Sequence, residues 1–407
     1  MQLFNGLEYL MIDIAGSFGL DKLTWQERLD WFHKNEDNLE SQWQKADKPA
    51  MYLAGIEAYK RAKKGIPVGY LINLDATHSG LQMLSVLTGD ESGAKLCNIV
   101  NDDEKRNDSY TIIFNRFKSK VKQNLGNITR DNIKKAIMTA FYSSTRQPKE
   151  LVGEELYPVF CETMSEMAPY AWHLNNFMLE AWDPNALCYD WDMPDGFHVH
   201  LPVETMVEDS FEFGGKKFTF NHRENIPQNR GRSLGANLTH SVDSFICREM
   251  TARCMYNFDK TEALKEVKNL NANCAFLTKN TLSHPKQQKV MNNTLARLMK
   301  LAKETGYYSM RILDVINHEN FWLVPSGVLE KLISSLPDKP FEILTIHDCY
   351  RCHPNYGNDV RKQYQICMQE LSDSRLLEHI LQCICHAPDL KINKPKNLIV
   401  DGEYALS

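Results

Sequence analysis

The chain has 407 residues, 43% hydrophobic and 24% charged, which fits two or three folded lobes with sizeable cores and excludes a disordered, collagen-like or coiled-coil protein. A formal charge of −5, from 47 Lys and Arg against 52 Asp and Glu, argues against nonspecific nucleic-acid binding over the whole surface, although a local basic cleft is compatible with it. No apolar run approaches the ~18 residues a spanning helix needs, and Asp13 breaks the N-terminal apolar stretch, which has no basic residue ahead of it; neither a membrane span nor a signal peptide is expected.

In chain order, Thr24-x-x-Glu27 forms a capping box, and Trp25, Leu29, Trp31, Phe32 and Leu39 carry helical spacing, predicting a helix over 24–47. A second helix over 50–64 should end at Gly65 and Pro67. The apolar run 66–74 reads as a buried strand that delivers Asp75 at its C-terminal end, followed by small polar residues and a helix over 81–87. Residues 101–127 are polar and basic and lead to a helix from Thr129 to Tyr142. Helical character over 150–182 is interrupted by Pro158 and Pro169. The stretch 187–220 alternates, with a turn at Gly214-Gly215, and reads as β-rich. Helices are predicted over 240–258, 261–276 and 286–303, the last bearing Lys286, Lys289, Arg297, Lys300 and Lys303 without an acid. Ile343–Ile346 is a short strand that His347-Asp348-Cys349-Tyr350 should continue, before a turn at 354–357 and helices over 358–371 and 374–385.

The 11 cysteines are an odd, scattered set and read as reduced thiols. Cys349-x-x-Cys352-His353 and Cys383-x-Cys385-His386 have the residue types of zinc ligands, but the cysteine spacing of the second is short for a zinc knuckle. Ordinary buried cysteines are the better reading.

Asp75 and Asp348 each sit at or near a strand end, and between them lies a helix with Arg130, Lys134, Met138 and Tyr142. Steps of four residues advance the helical angle by about 40°, so these four share roughly 120° of one face. Two aspartates facing a basic helix suggest a site that handles phosphate, with the carboxylates holding two Mg²⁺ and the basic face taking a triphosphate. The bland alternatives are a capping Asp75, a turn carboxylate at Asp348, a solvated basic face, a core Tyr142 and a structural His240.

The ordered set of motifs resembles a family. Leu74-Asp75-Ala76-Thr77-His78-Ser79-Gly80-Leu81-Gln82 is similar to motif A of single-subunit RNA polymerases of the phage and mitochondrial type. Arg130-x-x-x-Lys134-x-x-x-Met138-Thr139-Ala140-Phe141-Tyr142 resembles their motif B, and Ile346-His347-Asp348 resembles motif C. Trp191-x-x-Pro194-Asp195-Gly196-Phe197, Asn237-x-x-His240-Ser241-x-Asp243-Ser244 and the terminal Gly402-Glu403-Tyr404-Ala405 agree with further stretches of the family.

The resemblance implies an α+β, helix-rich right-hand polymerase: residues 1–90 the first part of the palm with a small antiparallel sheet, 91–239 the fingers, and 240–407 the second part of the palm with a helical insertion over 252–338. It implies a DNA-directed RNA polymerase that uses two Mg²⁺ on Asp75 and Asp348, with Arg130 and Lys134 on the triphosphate and Tyr142 closing over the nascent base pair. DNA polymerases with the same palm place a glutamate five residues after the motif A aspartate; here Gly80 leaves room for a ribose 2′-hydroxyl, which Tyr142 and His240 are placed to sense. Ribonucleotides are therefore the expected substrate, over a DNA-polymerase-like enzyme or an inert scaffold that kept the fold.

Two departures stand out. Ser143 occupies a position where the family usually has glycine. Residues 1–74 contain no arginine-bearing DxxGR or TxxGR element, so the chain is similar to the large catalytic subunit of the heterodimeric RNA polymerase of enquatrovirus-type phages. That resemblance implies a second subunit carrying the thumb, the N-terminal domain and the missing palm element. It also implies a helper factor for promoter opening, a DNA template, an RNA product, no membrane partner, and work in the cytoplasm of an infected bacterial host.

Overall fold

The computed structural model describes residues 1–102, 105–121, 128–231, 233–270, 285–317 and 320–407. Helices dominate, and the strands form one three-stranded antiparallel sheet and two hairpins: β1 (Ile72–Asp75), β2 (Cys188–Asp192), β3 (His198–Pro202), β4 (Glu204–Phe213), β5 (Lys216–Asn225), β6 (Ile343–Ile346) and β7 (Cys349–Cys352). The sheet has the order β1-β7-β6, with Asp75 opposite Cys349 and Ile346 opposite the same residue on the other side.

β1 is shorter than the apolar run suggests: only Ile72 and Leu74 turn into the core, while Asn73 and Asp75 face the other way. The expected single strand over 343–350 is instead two strands. His347 and Asp348 form a two-residue hairpin turn, and His347 adopts φ 55°, the left-handed geometry such turns need at a central residue. Sequence alternation does not reveal that reversal, because neither turn residue is Gly, Asn or Pro.

Behind the sheet runs the helix Ser79–Thr88, buried at every position from Gly80 to Thr88 and closed by Gly89 in the left-handed region. It packs against the helices Pro169–Glu180, Ser233–Cys254 and Gly357–Asp373. Helix Arg130–Phe141 starts at a Thr129/Asn132 capping box and buries Ile133, Ala136, Ile137, Ala140 and Phe141. The proline interruptions fall where expected: Pro158 and Pro169 each sit in the first turn of a helix, where a missing N–H costs nothing. Gly214 (φ 60°) and Gly215 (φ 75°) make the β4–β5 turn.

Other elements differ from the sequence reading. The helix expected over 24–47 ends at Asn35 and gives way to 3-10 turns. Helices Gly6–Ala15 and Ser109–Lys120 were not signalled by periodicity. The expected helix over 261–276 is observed as Phe258–Leu270, its remainder lying outside the described residues. A second, smaller apolar cluster comprises Leu264, Leu295, Leu298, Met299, Met310, Ile312, Leu313, Ile316, Val324 and Leu332, all within the stretch 252–338.

The last residues close the structure around β1. Leu406 forms a bridge with Ala76, Ser407 N donates to Asp75 O at 2.9 Å, and Gly402 N donates to Ile99 O at 2.9 Å. Buried Gln82 links this segment to the central helix: Nε2 donates to Ala405 O (3.0 Å) and Cys97 O (2.9 Å), and Oε1 accepts from the Tyr364 hydroxyl (2.7 Å). Trp25 stacks on Tyr404 with ring centroids 5.3 Å apart.

Gly402 has no room for a side chain, since a Cβ there would lie 1.9 Å from the Asn98 carbonyl oxygen. Gly402→Ala should cost about 1–3 kcal/mol in urea unfolding. Gly327→Ala, whose Cβ meets nothing within 4 Å, should be neutral or stabilising by up to about 1 kcal/mol. Equal stability of the two variants would contradict the packing described.

Candidate active site

A cavity of about 240 Å³ opens between the sheet and helix Arg130–Phe141. Asp75 enters it from the end of β1 and Asp348 from the β6–β7 turn, and the two backbones are joined directly by Ala76 N donating to Asp348 O at 3.1 Å. Lys134, Met138 and Tyr142 line the opposite wall, one from each successive turn of the helix. Gly80 lies between, at the start of the central helix.

Arg130 is placed differently. It does not line the cavity; its guanidinium pairs with Asp108, and Nε donates to Thr111 Oγ1 at 2.7 Å. The helix face is shared as expected, but Arg130 stands three turns from Tyr142 and meets the helix Ser109–Lys120 before it reaches the carboxylates. Among the described residues, the cations lining the cavity besides Lys134 are Lys22 and Arg106. Arg106 Nη2 donates to Ser407 Oγ at 3.0 Å, while its buried Nε has no hydrogen-bond partner among the described residues.

Tyr142, His240 and Gly80 come together as the sequence suggests. The rings of Tyr142 and exposed His240 lie 4.9 Å apart at 47°, and a Cβ on Gly80 would sit 3.7 Å from the Tyr142 hydroxyl. Ser143 adopts φ 60°, the left-handed backbone that glycine takes without cost. Its Oγ donates to Asn175 Oδ1 at 2.9 Å, and Gly235 permits the close approach, since a Cβ there would fall 1.9 Å from that hydroxyl oxygen.

The electrostatics are those of crowded carboxylates. Although Asp75 opens onto the cavity, the surrounding protein and then the charge of Asp348 push its carboxyl up to about 6. Asp243, one turn after His240, is likewise raised to about 6, by burial and then by Asp348, and its buried Oδ1 has no hydrogen-bond partner among the described residues. His78 is held neutral by burial and by Lys134, down to about 3, and its Nδ1 lies 3.1 Å from Ser109 Oγ.

Sequence reasoning gave no site role to Asp243, although it lies in a quoted motif, or to Arg106, Lys22, Asp21, Tyr110 or Ser407. Asp243 was detectable, because it shares a helix face with His240 at i,i+3. Arg106 lies in the polar, basic stretch 101–127, outside any periodic pattern, and carries no such signal.

A carboxyl with a higher pKa folded than unfolded takes up a proton on folding, so ionisation opposes the fold. For Asp243 that penalty is absent well below the ordinary carboxyl value of 3.8, grows as pH rises, and is complete above about 6. Without divalent cations, Asp243→Asn should therefore raise stability at pH 7.5 by about 1 kcal/mol after solvent screening and have little effect at pH 4. Urea unfolding at both pH values checks this; a larger gain at pH 4 would reverse the assigned sign.

Residues 4–178 match the family model described as DNA-dependent RNA polymerase. Over 162 residues the chain is 33% identical to a Neurospora crassa protein named "Probable DNA-directed RNA polymerase", covering 35% of this chain and 18% of that one. It is 28% identical over 167 residues to the mitochondrial DNA-directed RNA polymerase of Neurospora crassa, covering 35% of this chain and 12% of the other. It is 27% identical over 123 residues to the DNA-directed RNA polymerase of Pseudomonas phage phiKMV, covering 26% and 15%. The chain thus spans less than a fifth of the length of each of these relatives in the matched region. The matched stretch holds Asp75, Gly80, Lys134 and Tyr142, so this part of the cavity is built from sequence similar to DNA-dependent RNA polymerase.

Proposed function

We propose that the chain carries the catalytic centre of a DNA-directed RNA polymerase of the single-subunit type, which joins ribonucleoside triphosphates to an RNA 3′-hydroxyl. The observation that carries this reading is the convergence of Asp75 and Asp348 with Lys134 and Tyr142 on one cavity. In this reading residues 1–90 and 240–407 act as palm, 91–239 as fingers, and 252–338 as an inserted helical subdomain.

Divalent magnesium fits the donor set: the carboxylates are hard oxygen ligands, and raised Asp75 and Asp243 with an unpartnered Asp243 oxygen mark a site short of positive charge. Asp75 and Asp348 would hold two Mg²⁺, which when bound supply a lowered pKa for the attacking hydroxyl and charge neutralisation for the departing pyrophosphate. Lys134, with Lys22 and Arg106, faces the space where a triphosphate would lie. Arg130 joins them only by exchanging Asp108 for phosphate. Gly80 leaves the sugar unobstructed, and Tyr142 and His240 form the wall against the ribose.

The finer reading is a split enzyme of the enquatrovirus phage type, working in the infected host's cytoplasm with a second subunit and a promoter-opening factor. The groove lined by Leu7, Leu10, Ile66, Pro67 and Val68, with Leu7 and Ile66 exposed, is apolar surface that such a subunit would cover.

Primer extension tests the proposal: an RNA primer on a single-stranded DNA template with Mg²⁺, rNTPs against dNTPs, using the chain alone and co-expressed with the product of its neighbouring gene. Extension should require rNTPs and fall by about 10³-fold or more in Asp75→Asn and in Asp348→Asn. Undiminished extension by both variants would refute this assignment.

A further inference from the structure

A second group of metal-binding residue types lies on the β2–β3 hairpin, outside the Asp75 cavity. Strand alternation turns Tyr189 and Trp191 into the core and sets Cys188, Asp190 and Asp192 on the opposite face. The register places Asp190 opposite His200 and Asp192 opposite His198, so a thiol, two carboxyls and two imidazoles share one face. Ligand atoms of Cys188, Asp190 and His200 all lie within 4.8 Å of one another. His200 Nδ1 is 2.6 Å from Asp190 Oδ1, and Cys188 Sγ donates to Asp190 Oδ2 at 3.2 Å.

Helix Leu376–Ile384 packs on β2, and Cys188 and Asp190 share a cavity of about 530 Å³ with Cys383 and His386. These are two residues of the Cys383-x-Cys385-His386 group. Its own spacing is too short for a zinc knuckle, but the fold brings it to a hairpin that already holds three donors.

We propose that Cys188, Asp190 and His200 bind one divalent ion of the zinc class, with its fourth position facing the cavity that Cys383 and His386 line. The donor chemistry selects the metal: a thiolate and an imidazole favour Zn²⁺ over Mg²⁺ or Ca²⁺, and three protein ligands with one open position is a normal zinc arrangement. The ligands are close enough to converge by side-chain rotation, without moving the paired strands. Cys188 binds as thiolate and releases its proton to solvent, and His200 binds through a neutral ring nitrogen. His198, with Nε2 3.2 Å from Asp190 and Nδ1 2.9 Å from Asp192, orients the carboxylate from outside the ligand set. The ion fastens the hairpin that leads directly into β4, and this inference stands independently of the polymerase reading.

The test uses the full chain, equilibrated with Zn²⁺, passed through chelator-treated buffer and assayed for zinc by mass spectrometry, with Co²⁺ as the spectroscopic probe. Wild type should retain about one zinc per chain and give a thiolate-to-cobalt charge-transfer band. Cys188→Ser should abolish that band, and His200→Ala should weaken zinc binding at least about tenfold. Cys161→Ser, on the distant helix Tyr157–Met167, should match wild type. His200 is largely exposed, with 56% of its side chain accessible, so its replacement leaves the fold intact; circular dichroism verifies this. Zinc retention unchanged in both ligand variants, or no zinc retained by wild type, would overturn the proposal.

Discussion

Everything in the candidate active site depends on the antiparallel pairing of β1 with β7. It sets Asp75 opposite Cys349 and therefore beside Asp348, although the two aspartates lie at opposite ends of the chain. The arrangement works against itself electrostatically, since partly buried carboxylates crowded around Asp348 resist ionisation, as the raised Asp75 and Asp243 record. The pairing must be held by something other than the acids. The helix Ser79–Thr88, buried from Gly80 onward, the Gln82 hydrogen bonds and the C-terminal segment at Ala76 supply that support.

The opposite wall is held with comparable care. Ser143 in the left-handed region, Asn175 on its hydroxyl and Gly235 at close approach lock the end of helix Arg130–Phe141 onto the helix that bears His240 and Asp243. Tyr142, His240 and Asp243 consequently belong to one packed unit rather than to three independent side chains. The charge facing the cavity is likewise distributed: Lys134 comes from the helix, Arg106 from the segment before it and Lys22 from the N-terminal region.

Much of this was legible because it is local. The capping box at Thr24, the proline helix starts, the Gly214-Gly215 turn and the strand end at Asp75 are each set by a few neighbouring residues. The sequence reading set Arg130, Lys134, Met138 and Tyr142 against Asp75 and Asp348, and the cavity is lined by all of these except Arg130. What escaped depends on partners distant in the chain. Arg130 pairs with Asp108, and Arg106 donates to Ser407, through contacts that helical spacing does not encode. The His347-Asp348 reversal relies on a histidine in a conformation that propensity disfavours. Cys188 and His200 carry no recognisable spacing, because strand register rather than sequence proximity unites them.

The central claim is that the β1–β7 pairing brings Asp75 and Asp348 together to hold divalent cations. Its most direct test is Mn²⁺ binding followed by electron paramagnetic resonance in the wild type, Asp75→Asn, Asp348→Asn and the hairpin variant Cys188→Ser, with circular dichroism to confirm folding. The account predicts a bound-Mn²⁺ signal that persists in Cys188→Ser and weakens at least about tenfold in each aspartate variant. Undiminished Mn²⁺ binding in both aspartate variants would contradict it, and would place the cation elsewhere in the chain.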